Sequence, residues 1–210
     1  MTGEISLRLI ENTPEIQKKI MNLLAKEMSE QLKKSIGKIQ SDIRPIAKAA
    51  IEGCPEALSL RGGTLRLDFG ITGDPAADIA TIVSNAIFVT NKPVKATANN
   101  FTGGITINMQ PLDYSELLAL PAGSQTTEKG AVLPWLDWLL NLGDAIVIAD
   151  FGVEYGPHGR TGGAHMTTKE RPFKVDTQYS GTAENNFVTR ALEGAQKQIN
   201  DVIISSIKRT

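Results

Sequence analysis

From Thr13 to Ile51 the chain repeats apolar residues at a helical period for about ten turns, and any fold must accommodate that run. Thr13, Pro14 and Glu15 make a helix start: a hydroxyl at the N-cap, a proline at the first helical position, and an acid at the positive end of the dipole. Ile16, Ile20, Leu24, Met28, Leu32 and Ile36 follow, with Leu23 and Ile39 widening the stripe and lysines and glutamates on the other faces. The pattern continues through Ile43 and Ile46 to Ile51, where Gly53 and Pro55 stop it, and Pro45 is expected to kink or divide it. As one continuous helix, residues 14–44 would run about 45 Å, longer than a compact domain of this size is wide. Part of the helix then needs a partner. The alternative is a hairpin of two shorter helices folded at Gly37.

The remaining composition narrows the classes of function. With 210 residues, 41% apolar and 21% charged, the chain is sized and balanced for a globular core, and neither disorder nor a membrane bundle fits. Lys and Arg total 22 against 23 Asp and Glu, so a net charge of -1 gives no general attraction for nucleic acid or anionic lipid. The single cysteine, Cys54, excludes an internal disulfide and a cysteine-rich zinc site, and only two histidines, His158 and His165, are available to catalysis. The first residues carry acids and no apolar h-region, and no apolar run approaches the roughly 20 residues of a membrane span. The expectation is a chain made and folded in a cytoplasm, with no membrane partner.

Further along, Leu65, Leu67, Phe69 and Ile71 alternate with polar residues or glycine, which predicts a half-buried strand over 61–71. Asp74 and Pro75 then cap a short helix bearing Ile79, Ile82 and Val83. Residues 87–97 and 104–110 read as paired strands around a loop at 98–103. A helical turn is expected over 114–120, and 121–130 is a loop suited to insertion or motion. The 134–142 helix is apolar at Trp135, Leu136, Trp138, Leu139 and Leu142, so it must be buried in the fold or at an interface. Residues 145–149 read as a central strand, 152–169 as glycine-rich and irregular, and 173–175 as a short strand. A last helix, entered through Asn185 and Phe187, runs to Ile207. The class is α+β: a mixed, mainly antiparallel sheet flanked by the long N-terminal helix and a C-terminal helix, in one domain over 1–210.

Few patterns carry chemistry. Asp150, Glu154, His158 and His165 gather near a strand end, the residue types of a metal-assisted hydrolase or nuclease centre over 150–165. Yet the histidines lie seven apart in a loop, which matches no helix-borne ligand spacing, and a surface loop that needs glycines for its turns, with the histidines exposed, is the reading the pattern favours. No Gly-Lys-Ser/Thr opens a helix, and no Gly-x-Ser-x-Gly occurs. Cys54, between Gly53 and Pro55, has nothing nearby to activate it and reads as structural. Lys18, Lys19, Lys26, Lys33 and Lys34 alternate with Glu15, Glu27 and Glu30, as on a solvated helix face or an intersubunit register rather than a nucleic-acid groove. Trp135 and Trp138, among leucines, read as core or interface rather than a base-stacking platform. The residues point away from an enzyme and toward assembly, with no cofactor.

Several segments in chain order resemble the tail-completion (neck) proteins of tailed bacteriophages. An amphipathic N-terminal helix precedes Gly62-Gly63-Thr64-Leu65-Arg66, where the family pattern is Thr-Gly-x-Leu-Arg; Phe151-Gly152-Val153-Glu154-Tyr155-Gly156 matches an aromatic followed by Val-Glu-x-Gly; and a loop rich in glycine and arginine follows. Phe187-Val188-Thr189-Arg190-Ala191-Leu192 matches Phe-x-x-Pro-Ala-Leu, with arginine in place of proline. The stretch between Leu65 and Phe151 is longer than usual, which implies an inserted elaboration at 74–143. The resemblance implies no catalysis and no bound metal. It implies a homo-oligomeric ring, commonly hexameric, in the neck of the virion, contacting head connector or adaptor proteins on one side and tail terminator or tail tube proteins on the other. Genome DNA would pass through the channel without specific binding. On this reading the assembly residues are Trp135, Trp138, Glu154, Tyr155, Arg160 and Phe187.

Overall fold

The computed structural model describes residues 13–97, 100–108, 114–127, 130–143, 146–148, 150–168 and 172–208. Its spine is one uninterrupted helix, α1 (Thr13–Glu52), about 60 Å long at 1.5 Å per residue. The hairpin at Gly37 does not form, and Pro45 does not divide the helix. Pro45 sits on the exposed side while Ile39, Ile43, Ala47 and Ile51 are fully buried opposite it, so packing holds the helix across the missing N–H. Arg44 adds a tie, donating from Nη2 to the carbonyls of Asn85 (3.0 Å) and Ile87 (3.3 Å).

Three helices follow: α2 (Pro55–Gly62), α3 (Thr64–Phe69) and α4 (Pro75–Ala86). The strand expected over 61–71 is therefore corrected to helix. Its alternation contained an i, i+4 pair, Leu65 and Phe69, and that pair is what becomes buried. Ser59 Oγ accepts the Leu65 N–H at 3.0 Å, which satisfies one of the free donors at the start of α3. Gly70, at φ 66°, then closes the helix while the Ile71 N–H returns to the Arg66 carbonyl at 2.9 Å. α4 starts as expected, with the Asp74 carboxylate accepting the Ala77 N–H and Pro75 following.

β1 (Phe88–Ala96) and β2 (Phe101–Asn108) form an antiparallel hairpin laid along α1. Ser29 Oγ of α1 accepts the Val94 N–H (2.8 Å) and Gln40 Oε1 accepts that of Val89 (3.3 Å), so the helix covers part of the strand's edge. Then come α5 (Ser115–Leu118), a 3-10 turn (Pro121–Gly123), β3 (Gln125–Thr126), β4 (Val132–Leu133) and α6 (Trp135–Leu140). The chain continues through β5 (Ile146–Ile148), β6 (Phe151–Tyr155), β7 (Ala164–Thr168), β8 (Phe173–Lys174), α7 (Phe187–Gly194) and α8 (Gln196–Lys208).

The architecture is α+β, and among the described residues every strand pairing is antiparallel. The strands pair two by two, β1 with β2, β3 with β4, β5 with β8 and β6 with β7, in place of one continuous sheet. Two expectations change accordingly. β5, read as central, pairs with β8 alone, and the 152–169 stretch, read as irregular, contains most of a ladder running from Phe151 opposite Thr168 to Tyr155 opposite Ala164. The final helix is divided at Ala195 into α7 and α8. Met109, Gln110, Ala145, Ala149 and Lys169, which bounded sequence-based elements, lie outside the described residues. One buried cluster joins Ile43, Leu60 and Leu65 to Ile79, Leu117 and Trp135 and to Phe187 and Leu192. The 74–143 segment thus shares its core with the elements before and after it.

Candidate assembly surface

The apolar row on α1 begins off the body of the protein. Ile16, Ile20, Leu24, Met28 and Leu32 are spaced by four, and each such step advances about 40° around a helix of 3.6 residues per turn. The row is buried at Leu32 but has wound to the opposite side by Ile16, at about 160° from it. Ala25, on the body side, packs with Leu32 and Val94, while Ile20 is 52% and Leu23 68% exposed. Leu24 and Met28 complete an exposed stripe over the first turns. No residue of the described core lies on that side, and a contiguous aliphatic stripe of this kind is uncommon on a surface without a partner.

The tryptophans behave differently. Trp135 is fully buried, its ring stacks on Phe69 with centroids 5.8 Å apart, and its indole N–H donates to the Ala122 carbonyl at 2.9 Å. Trp138 is buried against the same Phe69 at 6.0 Å, and Phe187 is buried at the start of α7. Of the two environments open to them, core and interface, these three occupy the core of a single chain. Trp135, Trp138 and Phe187, read as assembly residues, thus lie inside the folded chain: α6 is only six residues long, its tryptophans pack on Phe69 of α3, and the helix lies against α5 and α7.

Glu154, Tyr155 and Arg160 do lie together on the surface, on the β6–β7 hairpin. Tyr155 remains 57% exposed, yet its hydroxyl donates to Asp68 Oδ1 of α3 at 2.6 Å. Burial pushes the Asp68 carboxyl above its ordinary pKa, the Tyr155 hydrogen bond pulls it down, and the charge of Asp176 raises it again. The Tyr155 phenol is pushed up to about 12, by burial first and then by Asp68. Arg160, past the end of β6, donates from Nη1 to Gln125 Oε1 (2.8 Å) and from Nη2 to the Thr126 carbonyl (2.7 Å). The hairpin is thereby tied to α3 at the turn end of its ladder and to β3 at its tip. Asp68 and Gln125 carried no sequence signal for these roles, because the contacts span 87 and 35 residues of chain.

Within the hairpin, the His158 and His165 rings meet edge to face with centroids 5.7 Å apart, and Glu154 stands opposite His165 in the ladder. Asp150 lies in the turn before β6 at φ 63°. Among the described residues no group of three or more His, Cys, Asp or Glu is placed to hold a metal ion. Cys54 is buried, and burial pushes its thiol up to about 11, so it carries little thiolate at neutral pH. Arg190, which stands where the resembled pattern has proline, reaches from α7 to the buried carboxylate of Glu56 in α2 at 2.6 Å. Among the described residues no helix is long and apolar enough to cross a membrane. Compared with known proteins, the chain matches no family model, no curated protein and no solved structure.

Proposed function

We propose that this chain is a structural virion protein of the phage neck, a non-enzymatic subunit that closes into a ring, joins the head connector to the tail, and surrounds the channel through which the genome passes. The observation that carries the reading is the exposed stripe Ile16, Ile20, Leu23, Leu24 and Met28, which winds away from the chain's own core. The neighbour on that stripe is a second copy. Lys18 and Lys19 are followed along the helix by Glu27 and Glu30, so a copy of α1 displaced along its axis by two to three turns sets lysines against glutamates. A head-to-tail contact of this kind generates a ring when its rotation closes. The near-neutral charge suits a wall past which DNA moves without being held. Head connector or adaptor proteins and tail terminator or tail tube proteins would meet the two faces of that ring, and the hexameric number comes from the resemblance alone.

Native mass spectrometry and negative-stain imaging, with and without the head connector, test the proposal. Ring-sized assemblies are expected, and Ile20→Glu with Leu23→Glu should convert them to monomers. Because both positions are more than half exposed in the monomer, its thermal midpoint should move by no more than a few degrees. A chain that stays monomeric with the connector and is missing from purified particles overturns the reading.

A further inference from the structure

β2 is the outer strand of the β1–β2 hairpin, and its far edge has no strand partner among the described residues. The register tells which backbone groups that leaves open. Val89 of β1 turns its N–H away from β2, to Gln40 of α1, so Val89 and Ile107 form a non-hydrogen-bonded pair. The N–H and C=O of Ile107, and of Ile105 two residues before it, therefore point outward from β2. On β1 the outward amides of Val89 and Val94 are met by Gln40 and Ser29. Among the described residues nothing meets those of Ile105 and Ile107. β2 runs Phe-Thr-Gly-Gly-Ile-Thr-Ile-Asn, with neither a charge nor a proline to guard such an edge, and native sheets seldom leave one bare.

One segment of the chain matches this edge in pattern, direction and reach. Residues 1–12 lie outside the described residues, and in sequence Ile5, Leu7 and Leu9 alternate with Glu4, Ser6 and Arg8 at a period of two. The segment leads into Thr13 at the start of α1, where Pro14, Gln17 and Lys18 line one cleft with Ala96 and Thr97. That is the turn end of the hairpin, where Phe101 pairs with Ala96 and β2 sets out. A segment that ends there runs antiparallel to β2. The open edge lies about two strand spacings, roughly 10 Å, beyond the β1 edge that α1 covers, and residues 9–12 can span about 13 Å.

We infer that the edge of β2 is an acceptor for the chain's own residues 4–8, which add to it as a third, antiparallel strand. With Ile5 opposite Ile107 and Leu7 opposite Ile105, four apolar side chains share the face on which Ile105 and Ile107 pack against the core. Ser6 then stands opposite Thr106 on the exposed face, and Glu4 and Arg8 bring to the new edge the charges that β2 lacks. The added strand closes the hairpin against pairing with other chains. The neck assignment neither requires it nor is required by it.

The test uses the full chain carrying Ile20→Glu and Leu23→Glu, so that ring formation does not enter. Ser6 and Thr106 would form a non-hydrogen-bonded pair with Cα atoms about 4.5 Å apart, within the range a disulfide bridges. Mild oxidation of Ser6→Cys with Thr106→Cys should link the two positions within one chain, read by peptide mapping. Ser6→Cys with Thr90→Cys, one strand further away, should stay unlinked. Amide hydrogen exchange at Ile105 and Ile107 should become at least tenfold faster in Ile5→Lys, Leu7→Lys. No link to position 106, an equal link to position 90, a link formed only between copies, or exchange unmoved by the two lysines each overturns the inference.

Discussion

At position 186 an asparagine with no exposed surface accepts the N–H groups of Val188 and Thr189, while its amide nitrogen donates to Tyr114 Oη, Leu140 O and Thr182 O. Thr189 Oγ1 accepts the Asn186 N–H in return, so one side chain caps α7 and links it to the α5 and α6 regions. Asn186→Ala removes the cap and strands several buried partners, and should cost about 2 kcal/mol or more in denaturant unfolding. A second prediction concerns Asp68. Its carboxyl binds a proton more tightly folded than unfolded, so its contribution favours folding below the ordinary Asp range and is lost as pH rises through the raised value. Asp68→Asn should flatten that part of the stability profile, and Tyr155→Phe, by deleting the bond that lowers the pKa, should raise the Asp68 titration seen by carboxyl NMR. Neither residue was legible as a site: Asn186 was read only as part of a helix entry, and Asp68 as one position of a strand.

For the elements, sequence patterns were reliable where many turns repeat and weak where few do. α1 was legible through its long apolar period, α4 through Asp74 and Pro75, and α7 through its start at Phe187. α3 was not, because over six residues a period of two and a period of four share the same buried pair, Leu65 and Phe69. The ladder β6–β7 was hidden behind its glycines, which serve the turn at 156–163 rather than disrupt the strands. The continuity of α1 yields a prediction of its own. Pro45 is exposed inside an unbroken helix, so Pro45→Ala restores a backbone hydrogen bond and should raise stability by about 2 kcal/mol, measured by denaturant midpoint. A loss of stability would mean that the chain needs a break there.

For the whole molecule, the division of labour is between a core that closes on itself and a helical arm whose apolar side, among the described residues, is left uncovered. Trp135 and Phe69 belong to the first, Leu23 and Ile20 to the second. Trp135→Ala should cost about 3–5 kcal/mol and lower the thermal midpoint of the monomer, whereas changes at Leu23 should alter only association. Chemical denaturation and native mass spectrometry on the two variants separate the roles. If the Trp135 variant dissociated assemblies without loss of monomer stability, the placement of α6 in the core would be wrong.

By itself the sequence determined the α+β class and the long amphipathic helix at its N-terminal side. These are local properties, written in periodicity, caps and residue counts within a few turns of chain. Only the tertiary structure decided which apolar residues were already spent. Trp135 sits on a short, nearly all-apolar helix and Ile20 on a long amphipathic one, yet for both the local pattern leaves core and interface open. Burial separates them, because it depends on how a row spaced by four winds around a 60 Å helix relative to a core that stops short of its end. The same holds for His158 and His165, seven apart in sequence and brought ring to ring by the turn of a hairpin.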